Sequence, residues 1–275
     1  MKQAIATGAD KLQGISAQPR LDAELLLMKV LGCDRAFLLT HPDAPLASGQ
    51  SEIYEAWLDR RAAHEPIQYI LGEQEFFGLT FSVTPDVLIP RPETEHLVEA
   101  LLERVPHGEP LRIADVGTGS GAIAVALAVS LPQAEVVALD ISQPALAIAR
   151  RNAERHHVSE RIHFVTSDLL AAVAGESFDA IVSNPPYVAE GDRASLEPQV
   201  RDYEPAHALF AGSSGLDIYE RLIPQARALL KQDGWLVMEM GQGQDDALAH
   251  LLSGWRNLGF ISDLRGIPRV ACAQK

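Results

Sequence analysis

Leu111-Arg112-Ile113-Ala114-Asp115-Val116-Gly117-Thr118-Gly119-Ser120-Gly121 is the stretch that decides how this chain folds. Its mainly apolar first half predicts a short buried strand, its alternating glycines predict a tight loop, and the apolar run from Ala122 to Leu131 predicts a helix leaving that loop. Strand, glycine loop and helix in this order form the opening of a nucleotide-cofactor site, because glycine lets the backbone approach a ligand that a Cβ would exclude. The spacing is G-x-G-x-G, not the G-x-G-x-x-G of dinucleotide enzymes. Working outward, Val136-Val137-Ala138-Leu139 reads as the next strand and ends at Asp140. A carboxylate about 20 residues past such a loop can accept both hydroxyls of an adenosine ribose. Ser142 then caps a helix through Ala145, Ile148 and Ala149. A third strand, Ile162-His163-Phe164-Val165, leads to Ser167-Asp168-Leu169. There Asp168 is placed to accept from the exocyclic amine of an adenine and Leu169 to pack on its face.

The fourth strand, Phe178-Asp179-Ala180-Ile181-Val182, delivers Ser183-Asn184-Pro185-Pro186-Tyr187 to the same rim, where open α/β sheets bind ligands. These are the groups needed to seize a planar NH2. An amide nitrogen gives its lone pair to the carbonyl and is a poor nucleophile. The Asn184 side-chain oxygen can accept one N–H of such a group, and a backbone carbonyl of the Pro-Pro segment the other. Prolines lack N–H and fix φ, which stiffens the loop, and Tyr187 supplies an aromatic face. Read alone, the stretch is also a rigid Asn-Pro turn ending a strand; the glycine loop upstream favours the chemical reading.

The 275 residues suffice for one large domain and a smaller one, and 47% hydrophobic residues with a mean hydropathy of +0.01 describe a soluble globular protein. No apolar run reaches the roughly 20 residues of a membrane helix, and Met1-Lys2-Gln3-Ala4 opens no signal peptide, so a cytoplasmic location is expected. A net charge of −14 argues against a protein whose affinity comes from neutralising phosphates. Cys33 and Cys272 are expected as two reduced thiols, and the nine histidines show no metal spacing, so no metal is expected.

Up to Glu75 the pattern is helical. Leu21, Glu24, Leu25, Met28 and Leu31 recur at helical spacing with Gly32 just past them. A second helix is predicted over Ser51 to Ala63 with Ile53, Trp57 and Leu58 inward, and His41 to Pro45 reads as a loop. Residues 1–75 carry seven Lys/Arg against eleven Asp/Glu, which does not make a nucleic-acid clamp. A folded spacer and a partner-docking module both fit. Gly72 to Val83 alternates between glycines and predicts a β-hairpin. In Ile89-Pro90-Arg91-Pro92-Glu93-Thr94-Glu95, the two carboxylates either favour a helix amino end or face a cationic ligand. Beyond Tyr187, Arg193 to Phe210 reads as a polar, irregular, substrate-facing loop. A helix over Leu216–Leu230, a strand over Gly234–Met240, a helix over Asp245–Leu258 and strands over Phe260–Asp263 and Arg269–Cys272 complete seven candidate strands. The boundaries predicted are 1–74 for a helical domain, 75–92 for a β-hairpin linker and 93–275 for the α/β domain.

With Asp115 to Gly121, Asp140 and Asn184-Pro185-Pro186-Tyr187 together, the chain resembles the class I S-adenosylmethionine-dependent methyltransferases. Within them it is similar to the HemK/PrmC family, the peptide chain release factor N5-glutamine methyltransferases. Ile89 to Glu95 narrows the match, which spans nearly the whole chain. The resemblance implies a Rossmann-like seven-stranded methyltransferase sheet with a small N-terminal helical bundle joined by the hairpin. It implies S-adenosyl-L-methionine as cofactor, with S-adenosyl-L-homocysteine as product. Gly117, Thr118, Gly119, Ser120 and Gly121 would hold its methionine part, Asp140 its ribose, and Asp168 with Leu169 its adenine, with Asn184 also touching it. Many family members carry an aromatic residue where this chain has Leu169. Asn184, Pro185, Pro186 and Tyr187 would hold the glutamine of the Gly-Gly-Gln loop of class I release factors, with Asn184, Pro185 and Tyr187 as catalytic residues, while the helical domain grips the factor elsewhere. Transfer would be an in-line displacement with no general base. An adenine N6-methyltransferase on DNA or RNA shares Asn-Pro-Pro-Tyr, but the acidic helical part and the absence of Lys/Arg runs count against nucleic acid as substrate. A cofactor-binding module without catalysis is the third reading, against which Asn184 stands.

Overall fold

Helices account for the chain up to Leu71. In the computed structural model, which describes residues 1–275, these are α1 (Lys2–Lys11), α2 (Pro19–Leu31), α3 (Arg35–Thr40), α4 (Ser48–Ala62) and α5 (Ile67–Leu71). Residues 1–73, with the later segment 197–203, form one compact unit. Gly32 ends α2 in the left-handed conformation, as its position just past the apolar pattern predicts.

The inward face of these helices differs from the predicted one. In α2 it is Ala23, Leu26 and Leu27 that are fully buried, whereas Leu21 is 37% exposed and Leu25 and Met28 are half-buried. The stripe is rotated because Asp22 goes inward to accept a 2.7 Å hydrogen bond from Arg61 Nε of α4. In α4 the buried positions are Tyr54, Leu58 and Arg61, and Ile53 is 48% exposed. Tyr54 wins the inward place because its hydroxyl donates to the Ala23 carbonyl at 3.1 Å while its ring lies in the core. Gly8 of α1 makes room for it, since a Cβ there would stand 2.5 Å from the Tyr54 oxygen.

The second unit comprises residues 74–196 and 204–275. It begins with a hairpin of β1 (Glu73–Phe76) and β2 (Leu79–Ser82), whose turn residues Phe77 and Gly78 both take positive φ, 52° and 69°. That is the turn whose twist matches a hairpin. Then follow α6 (Glu95–Leu102), β3 (Arg112–Val116), α7 (Ala122–Ser130), β4 (Glu135–Asp140), α8 (Gln143–Arg155), β5 (Ile162–Thr166) and β6 (Phe178–Ser183). The chain ends with α9 (Pro198–Tyr203), α10 (Asp217–Leu229), β7 (Leu230–Glu239), α11 (Asp245–Leu251), β8 (Arg256–Ser262) and β9 (Pro268–Gln274). Seven strands form one sheet in the order β5-β4-β3-β6-β7-β9-β8, parallel except for β9, which runs antiparallel to both its neighbours.

Each central strand is apolar on both faces because helices cover both. Ile113, Val136 and Val182 join the core under α6 and α7, and their neighbours Ala114, Val137 and Ile181 join the core under α10 and α11. The strand order reverses between β3 and β6, so the loops leaving these strands diverge and open a crevice at their carboxyl ends.

Two predicted elements come out differently. The helix expected to run to Leu258 stops at Leu251, because the chain reverses at Gly254, φ 80°, and Arg256 onward pairs with β9 as an edge strand. The stretch from Arg193 to Phe210 is not an irregular loop. It holds α9, a 3-10 turn at Ala206–Ala208 and the end of another at Glu190–Ser195, and Phe210 bridges to Val188. Both cysteines are free thiols.

Asn152 of α8 ties the hairpin to the sheet. Its Oδ1 accepts from Ser82 N at 2.7 Å, and its Nδ2 donates to the carbonyls of Ser82 at 3.0 Å and Ser120 at 2.8 Å. One buried amide thereby satisfies backbone groups of both the hairpin and the glycine loop.

Candidate active site

The glycine loop crosses from the end of β3 to the end of β4. Gly117 N and Thr118 N both donate to the Leu139 carbonyl, at 2.8 and 2.9 Å. Gly119 N then donates to Asp140 Oδ2 at 2.8 Å, and Ser142 N donates to Asp140 Oδ1 at 2.8 Å. Each carboxylate oxygen of Asp140 thus holds one backbone N–H and keeps a lone pair for a ligand. Gly121, φ 79°, has no room for a side chain: a Cβ would come within 3.0 Å of Ala149 Cβ on α8. Below the loop, Asp115 is fully buried. Its Oδ2 accepts from Thr118 Oγ1 at 2.6 Å and Ala124 N at 3.1 Å, while Oδ1 has no partner. Burial pushes the Asp115 carboxyl up to about 7 against these two bonds, and the nearby Asp140 charge adds to the rise.

A cavity of about 260 Å³ opens at this rim. Gly117, Thr118, Gly119, Ser120, Asp140, Asp168, Leu169, Asn184, Pro185 and Pro186 all lie on its wall; Gly121 and Tyr187 do not. Among the further wall residues that the sequence reading does not assign to the site are Ile141, 63% exposed; Arg221 of α10; and Thr94, before α6. Ile141 follows the strand-end carboxylate Asp140 directly, and that place at the rim is the signal that would have found it. Asp168 does not stand alone, because its Oδ2 accepts from Arg221 Nη2 at 2.5 Å. Leu169 has φ 51°, a left-handed conformation uncommon for a residue with a Cβ.

The Asn-Pro-Pro-Tyr stretch leaves β6 on a fixed footing. Ser183 Oγ donates to the Val116 carbonyl at 2.7 Å, pinning the end of β6 to the end of β3. Asn184 Nδ2 donates to Thr94 Oγ1 at 3.1 Å, and Thr94 Oγ1 donates to Glu239 Oε2 at 2.5 Å. Asn184 Oδ1 and the Pro185 carbonyl take no hydrogen bond from the protein. Tyr187 turns away from the cavity, with its hydroxyl donating to Glu239 Oε1 at 3.3 Å and its ring against Gly241. Burial pushes the Glu239 carboxyl up to about 7, although the bonds from Thr94 and Tyr187 oppose the rise. The signal for Glu239 was its place in Leu236-Val237-Met238-Glu239-Met240, a charge inside an otherwise apolar strand.

The Ile89 to Glu95 stretch is held from within the same unit. Arg91 Nη2 donates to Glu204 Oε1 at 2.5 Å, and Glu204 Oε2 accepts from Ile89 N at 3.4 Å. Glu95 is not on the cavity wall: its Oε1 accepts from Phe77 N at 2.8 Å and so anchors the hairpin turn. Glu93 is not on the cavity wall either. No group of three or more His, Cys, Asp or Glu side chains converges anywhere in the structure.

The sequence and the architecture have relatives. Residues 3–72 match the PrmC N-terminal domain and residues 93–198 the methyltransferase small domain. A release factor glutamine methyltransferase of Koribacter versatilis is 47% identical over 100% of this chain and 98% of its own length. The chain belongs to the release factor glutamine methyltransferase family. A second member, from Coxiella burnetii, is 43% identical over 100% of this chain and 99% of its own. Among solved structures, the hMettl16 catalytic domain shares the fold at a TM-score of 0.58 and 21% identity, covering 78% of this chain and 81% of that one. The T. thermophilus 16S rRNA methyltransferase RsmC, in complex with AdoMet and guanosine, does so at 0.54 and 22%, covering 74% and 49%. The sheet expected from the resemblance, seven-stranded and Rossmann-like, is the sheet observed.

The wall residues fit the adenosine and methionine parts of S-adenosylmethionine. Gly117 and Gly119 carry no side chain and take positive φ, 74° and 54°, so backbone lines the cavity there. Asp140 offers two acceptor lone pairs at the end of β4, and Ile141 and Leu169 offer apolar surface for a flat ring.

Proposed function

We propose that this protein transfers a methyl group from S-adenosyl-L-methionine to the side-chain amide nitrogen of the Gly-Gly-Gln glutamine in class I release factors. When bound, that cofactor supplies an electrophilic methyl carbon on a sulfonium sulfur. The chain's own residues do the rest. Gly117 to Gly121 form the cradle for its methionine part, Asp140 accepts from the ribose hydroxyls, and Leu169 and Ile141 pack on the adenine. Asp168 reaches the adenine amine through its edge not engaged by Arg221.

The observation that carries the reading is the state of Asn184. It stands at the end of β6 on the same cavity wall as the glycine loop, with Oδ1 unpartnered while Nδ2 is occupied by Thr94. An acceptor at Oδ1 and a second at the Pro185 carbonyl match the two N–H donors of a primary amide. Both bonds strengthen as positive charge builds on the attacking nitrogen, so they stabilise the transition state more than the ground state. Asp140 and Asp168 on this wall are given to the cofactor, Asp86 and His207 also line it, and no base is required before transfer, because the nitrogen becomes acidic only once alkylated. Tyr187 supports the stretch from behind through Glu239. The helical unit, residues 1–73 with 197–203, docks the release factor away from its Gly-Gly-Gln loop, in the cytoplasm.

The test offers methyl-labelled cofactor to a release factor and, in parallel, to duplex and single-stranded DNA and to RNA. Label on the glutamine of the release factor, located by mass spectrometry, is the expected result. Label on nucleic acid alone would overturn the reading.

A further inference from the structure

An asparagine side chain has two ends of nearly the same shape and opposite chemistry: Oδ1 accepts hydrogen bonds and Nδ2 donates them. If Asn184 holds a substrate amide as proposed above, only one orientation works. With Nδ2 toward the cavity it would meet the substrate NH2 donor against donor, and half a turn separates the two states.

The surroundings of Asn184 choose between them. When ionised, the Glu239 carboxylate can only accept, so the single proton of the Thr94 hydroxyl then goes to Glu239 Oε2, 2.5 Å away. Toward Asn184, Thr94 Oγ1 then has only lone pairs. It accepts from Nδ2 at 3.1 Å, and a flipped carboxamide would set Oδ1 against an oxygen with no hydrogen to give. We infer that Thr94 and Glu239 are positioning residues for amide methylation: Thr94, its proton held by Glu239, locks the Asn184 carboxamide with Oδ1 toward the cavity. The inference rests on the function proposed above.

The fold brings the three residues together from distant parts of the chain. β7 runs parallel to β6 with Met238 opposite Ser183, so the next residue of each strand, Glu239 and Asn184, emerge side by side. Thr94 ends the 3-10 turn Pro92–Thr94 that leads into α6. Thr94 and Glu239 are buried, at 4% and 2% exposure, where a carboxyl with no task costs stability. Glu239 is also faced by Tyr187, by Glu93 before α6 and by Arg269 of β9, and its own carbonyl accepts from Tyr219 of α10.

The test separates positioning from mere structural support. Thr94→Val removes the acceptor at nearly constant shape and should lower kcat about tenfold to a hundredfold. Binding of S-adenosylhomocysteine, by calorimetry, should stay at its wild-type value, and Thr94→Ser should restore turnover. In an Asn184→Ala background, Thr94→Val should cost nothing further, since its whole effect passes through Asn184. A second readout needs neither substrate nor cofactor. The Asn184 side-chain NH2 resonances, assigned by their loss in Asn184→Ala, should move in Thr94→Val and in Glu239→Gln and stay in place in Thr94→Ser. A Thr94→Val enzyme with kcat within about twofold of wild type would overturn the inference. So would losses that multiply with Asn184→Ala, or NH2 resonances indifferent to Thr94 and Glu239. If the wild type labels no release factor, the proposed function falls, and the resonance test still decides whether the relay orients Asn184.

Discussion

The two walls of the cavity are built on different principles. On the side of β3 and β4 the wall is mainly backbone: glycines at positive φ, their N–H groups spent on the Leu139 carbonyl and on Asp140, and one carboxylate serving as both loop anchor and ligand acceptor. On the side of β6 and β7 the wall residues Asn184 and Thr94 are backed by a side-chain relay that continues to Glu239 and Tyr187, in which each partner fixes the next. A backbone wall grips whatever shape is complementary to it, whereas a relay dictates the polarity of a single atom. Damage to the first should therefore show in cofactor affinity and damage to the second in turnover.

Asn184→Ala is the largest break. Release-factor methylation should fall by about a hundredfold to a thousandfold, as for loss of a donor or acceptor that acts on transition-state charge, while calorimetry gives an unchanged cofactor dissociation constant. A cofactor affinity that falls in step would erase the contrast between the walls. Next in size, Asp140→Ala removes the partner of Gly119 N and Ser142 N together with the ribose acceptor. Cofactor binding should weaken by about tenfold to a hundredfold, with most of kcat recovered at saturating cofactor. Turnover that stays low at saturation would place Asp140 on the wrong side of the comparison.

The relay also carries a pH signature. Glu239 and Asp115 are both raised to about 7, mainly by burial, from ordinary values of 4.5 and 3.8. A carboxyl whose folded value is raised contributes its stability in full below the unfolded value and loses it as pH rises toward the folded one. The window is thus from about pH 4.5 to about 7 for Glu239. In Glu239→Gln that loss is absent, so between pH 5 and 8 the variant should gain on wild type by roughly 2–3 kcal/mol in urea unfolding. Glu93 favours the neutral form of Glu239, and Arg269, Thr94 and Tyr187 oppose it, so the net sign is itself informative. A difference between the two proteins that does not change with pH would mean that Glu239 is charged throughout. The smallest effect is expected at Leu169. Leu169→Phe enlarges the apolar face while keeping a Cβ at φ 51°, and should tighten cofactor binding by about twofold to fivefold with turnover unchanged.

How legible each wall was in the sequence follows from the same contrast. The backbone wall is written locally: three glycines, a carboxylate at the next strand end and short apolar runs are read from adjacent residues, and the seven strands and their carboxyl-end rim follow. The relay is long-range. Asn184 was legible as a polar residue closing an apolar strand, but the bond from Asn184 to Thr94 spans 90 residues of chain and the bond from Thr94 to Glu239 spans 145, and the parallel register of β6 and β7 is needed to bring Asn184 and Glu239 side by side. Helix faces were misread where a polar group goes inward with a partner, as Asp22 does with Arg61 and Tyr54 with Ala23, because periodicity counts apolar residues and not paired polar ones. The end of α11 was overrun because Arg256 to Phe260 lies at a sheet edge, where one face is solvated and the apolar pattern is weak.

A structure of the protein with S-adenosylhomocysteine and a Gly-Gly-Gln peptide tests the central claim most directly. The account predicts the glutamine nitrogen within hydrogen-bond distance of both Asn184 Oδ1 and the Pro185 carbonyl, with Nδ2 still on Thr94. A glutamine bound elsewhere, or an Asn184 carboxamide turned so that Nδ2 faces it, would contradict it.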